Sequence, residues 1–127
     1  MAIRTELTVR LQNTPGSLAR LCELLAQEHV NILALALDGG VTLRVVPDNP
    51  LHAASTLRGQ HYQVSERAVL FATVPHEPGA LARIARLISD AGVNVEYLYA
   101  SAAEGTVMSA IVAGVPDAQR ASAAAGL

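Results

Sequence analysis

The stretch Asn13-Thr14-Pro15-Gly16-Ser17-Leu18-Ala19-Arg20 decides the fold, because the chain holds it twice. The segment NTPGSLARLCELLAQEHVN (13–31) returns 63 positions later as HEPGALARIARLISDAGVN (76–94). Pro15 aligns with Pro78, Gly16 with Gly79, Leu18-Ala19-Arg20 with Leu81-Ala82-Arg83, and Val30-Asn31 with Val93-Asn94. A turn, a helix face and a terminal dipeptide kept in one register are the mark of a tandem repeat.

Each copy reads the same way outward from its turn. Leu7, Val9 and Leu11 alternate with Thr8 and Arg10, a half-buried strand. Pro15 gives no amide hydrogen to a ladder and Gly16 frees the backbone, so the strand ends there. Leu18, Leu21, Cys22 and Leu25 then recur at helical spacing, which predicts a helix over 16–28. The continuous apolar run Val30 to Leu37 predicts a strand buried on both faces. Asp38-Gly39-Gly40 marks a hairpin into a strand over 41–46. Asp48 or Asn49 with Pro50 opens a second helix to about Arg58, and 61–64 is a short last strand.

The second copy repeats the order with strands over 69–74, 93–100 and 106–112 and a helix face of Leu81, Ile84, Ala85 and Ile88. Its connection at 101–105 is longer, and Gly92 ends the helix where the first copy has His29. Val115-Pro116-Asp117 matches Val46-Pro47-Asp48, so another helix starts there and runs to the end of the sequence at Ala125-Gly126-Leu127. The last strand of this copy is missing. Its first strand should therefore be covered by another chain or by displaced sequence from this one, since an open apolar edge is costly.

The expected fold class is α+β: two tandem ferredoxin-like βαββαβ modules, 1–66 and 67–127, the second truncated. They are expected to pair into a continuous antiparallel sheet with helices on one face. Modules of about sixty residues are marginal alone and gain by packing together.

Composition removes several function classes. The chain is 51% hydrophobic with one Phe, three Tyr and no Trp, so its core is aliphatic. A formal net charge of −2 without a basic cluster argues against nucleic acid. No run is long enough to span a bilayer and no leader is read at the start, so the expected location is cytoplasmic. The lone Cys22 rides an apolar helix face and reads as core. His29, His52, His61 and His76 show no metal-ligand spacing, and no phosphate loop or nucleophile elbow is present. Neither catalysis nor a cofactor is expected. Glu96, Arg20 and Arg83 read as solvated, and Tyr97 and Tyr99 share a strand face expected to pack under the helices.

The residues do suggest an anion site. The helix starts at Gly16 and Gly79 carry amide hydrogens without helical partners, a setting that suits a carboxylate. Asn31 and Asn94 either cap the turns after the helices or touch a ligand.

A strand ending in L-x-N-x-P-G-x-L, then a helix and a Val-Asn-Ile strand, resembles the ACT domain. The likeness covers both copies less the last strand. It is nearest to small stand-alone tandem-ACT proteins, with Pro75 to Ala100 including Asn94, Glu96-Tyr97 and Tyr99-Ala100 in place. The first copy also looks like the amino-terminal half of the acetolactate synthase regulatory subunit. The resemblance implies a regulatory module that binds a small amino acid where modules pair through their second strands. It assigns contacts to Asn13, Gly16, Ser17, Leu18, Asn31 and Ile32 in the first module. In the second it assigns His76, Gly79, Ala80, Leu81, Asn94 and Val95. His76 stands where Asp or Asn is usual and Thr14 where an acidic residue is common, departures that bear on ligand preference at each site. The missing strand with its apolar edge argues for a second copy in a homodimer, and the resemblance implies a metabolic enzyme as a further partner. Two other readings remain beside it, an assembly module without a small ligand and an enzyme's regulatory subunit.

Overall fold

The structure, a computed structural model, describes residues 2–101 and 103–126, with the backbone alone at Ala2. Ala102 in the longer connection and the chain end at Leu127 lie outside the described residues. The elements are β1 (Ala2–Arg10), α1 (Ser17–Gln27), β2 (Ile32–Asp38), β3 (Thr42–Pro47), α2 (Pro50–Gly59), β4 (Val64–Pro75), α3 (Ala80–Asp90), β5 (Tyr97–Ser101), β6 (Met108–Gly114) and α4 (Ala118–Ala125).

The chain divides into two compact units, Thr5–Arg67 and Ala68–Leu127 together with Met1–Arg4. In the first, the strand order is β2-β3-β1-β4. Leu7 lies opposite Val45 and Val9 opposite Leu43, so their side chains share the face on which α1 and α2 pack. Leu21 and Leu25 of α1 and Ala53 and Leu57 of α2 close that core, all with no exposed surface. Each buried Leu or Val of this kind stabilises the fold by about 1.5–3 kcal/mol relative to exposure. Asn49 starts α2, its Oδ1 accepting from the His52 N–H at 3.2 Å, and Pro50 takes the first turn where its missing N–H costs nothing.

The second unit has the same plan. Leu70 opposite Ala113 and Ala72 opposite Ile111 form the sheet side of a core completed by Ile84, Ile88, Ala118 and Ala121. Asp117 caps α4, accepting from the Arg120 N–H at 3.0 Å. Among the described residues no strand follows α4, and β4 has β1 as its other neighbour. Residues 2–4 cluster with this unit, where β1 lies next to β4, and the Arg4 guanidinium sits 5.2 Å from the Phe71 ring centroid. Deletion of residues 1–4 should therefore lower the melting temperature and speed amide exchange over 68–74. Unchanged protection there would show that the edge does not need this cover.

Three expectations are corrected. The first copy's last strand and the second's first are one twelve-residue strand, β4, not two. It starts only at Val64, because His61 sits in the left-handed region (φ 69) as the residue that turns the chain after α2. The apolar run of β2 is not buried on both faces. Among the described residues it pairs with β3 alone, at the sheet edge, and it is half-buried to exposed, Leu37 being 40% exposed. Tyr97 and Tyr99 do share a face, their rings stacked at 6.4 Å and 8°, but not the helix face. Leu98 and Ala100 pair with the core residues Ala113 and Ile111, which turns both tyrosines to the opposite side.

His29 is a second left-handed non-glycine (φ 57), at the position where the other copy has Gly92 (φ 72). Because the Cβ is unfavourable in that region, His29→Gly should stabilise by about 0.5–1 kcal/mol, readable by urea denaturation. A loss of stability would mean that the exposed imidazole makes a contact worth more than the relieved strain.

Candidate functional site

The two Pro-Gly turns are built alike. Gly16 (φ 86) and Gly79 (φ 88) are the N-cap residues of α1 and α3, both left-handed and neither helped by a side-chain cap. Ser17 N–H reaches the Thr14 carbonyl and Ala80 N–H the Glu77 carbonyl, each at 3.3 Å. The first intrahelical bonds are Arg20 N–H to Gly16 at 2.9 Å and Arg83 N–H to Gly79 at 3.0 Å. The amides between them, on Leu18 and Ala19 and on Leu81 and Ala82, have no helical acceptor by position. No acidic residue stands in either first turn. Each start thus offers two amide hydrogens at the positive end of a helix dipole to an incoming anion.

Around this shared frame the copies differ. In the second unit the turn opens on a cavity of 240 Å³ whose lining includes Val74, His76, Ala80, Leu81, Ser109 and Ile111. His76 is held by its N–H on the Val107 carbonyl at 2.8 Å and by a 3.1 Å hydrogen bond between Nδ1 and Ser109 Oγ. Ala80 is buried and Leu81 is 46% exposed at the rim. Three of the sequence-assigned residues, His76, Ala80 and Leu81, therefore meet at one cavity, with Gly79 adjoining. In the first unit Thr14 Oγ1 and Ser17 Oγ are bonded to each other at 2.7 Å across the turn. The Asn13 side chain lies against the β2–β3 hairpin, where a Cβ on Gly40 would fall 2.5 Å from its Oδ1.

The remaining assigned residues sit elsewhere in their units. Helices α1 and α3 have eleven residues each, about 16 Å of length at 1.5 Å per residue. Asn31 and Ile32, like Asn94 and Val95, follow the far ends of these helices. Asn31 is bound through its backbone, its N–H to Asp48 Oδ1 at 3.1 Å and its carbonyl to the Asp48 N–H at 2.9 Å. Ile32 and Val95 pack against their own cores, which leaves their backbones rather than their side chains for a ligand. Within one unit the two groups do not meet. The resemblance places them on facing modules.

Sequence reading reached only Ser17 of a larger groove of 640 Å³ in the first unit, whose lining also includes Arg10, Arg20, Glu23, Gln27, His61 and Tyr62. Its residues come from the end of β1, one flank of α1 and the turn after α2, too far apart in the chain to form a motif. The helical spacing of Arg20, Glu23 and Gln27 was the available signal. Cys22, read as core, is only half-buried. Burial pushes its thiol up from the ordinary value, and the Glu23 carboxylate beside it adds to the effect. Among the described residues no cluster of His, Cys, Asp and Glu is arranged to hold a metal, and no helix is long and apolar enough to cross a membrane.

A family model for the ACT domain pair matches residues 1–121. The chain belongs to the ACT domain pair family. No curated protein matches the sequence. Among solved structures, the ACT pair is similar to protein BT0572 from Bacteroides thetaiotaomicron, with 27% identity over 96% of this chain and 85% of that one and a TM-score of 0.84. The ligand-free regulatory subunit of aspartate kinase from Thermus thermophilus shares its fold at 14% identity, with 98% and 94% coverage and a TM-score of 0.69. The corresponding subunit from Thermus flavus, at 14% identity and the same coverage, gives 0.65.

Proposed function

We propose that this ACT pair is a non-catalytic regulatory module that binds a small amino acid at the start of α3, against a facing module. The observation that carries the reading is the start of α3, where an uncapped, left-handed glycine turn opens on a mainly apolar cavity. The ligand carboxylate takes the free amides of Leu81 and Ala82, and its side chain enters between Val74, Leu81 and Ile111. These apolar walls favour an aliphatic side chain over a charged one, because a buried unpaired charge is strongly disfavoured, and Glu77, the one carboxylate in the lining, is paired with Arg83 at 3.5 Å. Asn31 or Asn94 of a facing module accepts from the ammonium group. A ligand held between modules stabilises the paired form in proportion to its preference for it, and so reports its presence to a partner protein.

The apolar edges at β2 and β5, with Leu37 40% and Leu98 37% exposed, favour a second copy as one partner. They also support the rival reading, an assembly module without a small ligand. Thermal melting against each of the twenty amino acids separates the two. A ligand at a hundred times its dissociation constant adds about 2.7 kcal/mol, a shift of several degrees. The proposal expects that shift from an aliphatic group of amino acids. A flat panel, with a dimer by sedimentation in every condition, would leave the assembly module standing.

A further inference from the structure

We infer that the 640 Å³ groove of the first unit is a separate binding site for a small multivalent anion, carrying carboxylate or phosphate groups. Its volume lies within the range of small-molecule sites, and its lining is more polar than that of the mainly apolar α3 cavity. Two arginines line it, Arg10 from the end of β1 and Arg20 from α1, and both are exposed. Among the described residues neither makes an ion pair, whereas Arg58, Arg83 and Arg86 are each paired with a carboxylate. Glu23 is the one carboxylate in the lining, so the groove keeps a positive balance within a chain of formal net charge −2. Two unengaged planar forks at one groove suit an anion with several oxygen acceptors, which each guanidinium can grip with parallel hydrogen bonds.

The rest of the lining completes such a site. Gln60 and Gln63 offer carboxamides that both donate and accept, and Tyr62, half-buried against the core, forms a firm wall. The position is fixed by the backbone, since Arg10 N–H reaches the Gln63 carbonyl at 3.4 Å. The second copy has nothing equivalent: in the repeat alignment Arg10 becomes Thr73, Glu23 becomes Arg86, and Arg20 becomes Arg83, which is paired with Glu77 at 3.5 Å. Divergence at these positions, while the turns stayed alike, gives the two copies different binding surfaces.

Titration calorimetry at low salt, with citrate for the carboxylate source and inorganic pyrophosphate for the phosphate source, tests this directly. One of the two is expected to bind, and Arg10→Ala or Arg20→Ala to weaken it by about tenfold or more, the size of a lost charge-assisted hydrogen bond. Arg86→Ala, on the exposed face of α3, is the control and should leave the affinity unchanged. Arg20→Ala removes only an exposed helix side chain, so a folding defect in Arg10→Ala does not block the test. Absence of millimolar binding by either probe, or binding that ignores both changes, overturns the site. The amino-acid melts report on α3 independently, so either reading can fail while the other stands.

Discussion

Gly114→Ala is expected to destabilise the second unit by about 1–3 kcal/mol, the usual cost of forcing extra volume into a packed region. Gly114 ends β6 directly opposite Tyr97 on β5, and the tyrosine ring lies over the glycine. A Cβ added there would overlap both Cε2 and Cζ of Tyr97. Tyr99 is stacked beside it along the strand with ring centroids 6.4 Å apart, so a ring that moves aside shifts against this neighbour. Backbone strain plays no part, since Gly114 is not in the left-handed region. Thermal unfolding of the single variants and of Tyr97→Ala/Gly114→Ala isolates the contact. The double variant should lose clearly less than the sum of the singles, because removing the ring removes the clash. Simple additivity would show that the alanine is accommodated by another route.

The same pair shows what was legible in the sequence and what was not. The repeat was legible because each turn has a chemical reason to exist: Pro15 and Gly16, or Pro78 and Gly79, stop a strand and start a helix at a fixed offset. The helix faces followed from spacing, and residue type narrowed the α2 cap to Asp48 or Asn49, of which Asn49 takes the place. Strand limits depend on partners, which periodicity does not encode. Ser65 and Glu66 look like a linker yet lie in a continuous β4, while the apolar Val93 and Val95 pack on the core without joining β5. Spacing put Tyr97 and Tyr99 on one face, but only the register with Ala113 and Gly114 says which face. Of the candidate site, the turns were readable and the difference between the two copies was not. The cavity beside α3 depends on Ser109 and Ile111, whose strand meets the turn only in the folded unit.

That difference leads to the second large effect. Gly79→Ala should abolish most of the stabilisation by amino acid, about 2.7 kcal/mol at a hundredfold excess over the dissociation constant, while Gly16→Ala should retain it. Nothing lies within 4 Å of a Cβ at either position, so neither change creates a clash. What each meets is a dihedral cost, φ being 86 at Gly16 and 88 at Gly79, of about 1–2 kcal/mol for an alanine. Both variants should therefore fold with similar, slightly lowered melting temperatures in the absence of ligand. An alanine that relaxes from the left-handed region rotates the peptide that aims the first helical amides, and the carboxylate loses its donors. Only the α3 turn also opens on an apolar cavity, so only there does the loss remove a ligand whose side chain is buried. In the first unit Asn13 lies against the hairpin and the Thr14 and Ser17 hydroxyls are bonded to each other. Equal loss of the ligand shift in both variants would instead mean that the two turns act on one shared ligand. A shift that survives Gly79→Ala would move the amino-acid site away from the α3 turn altogether.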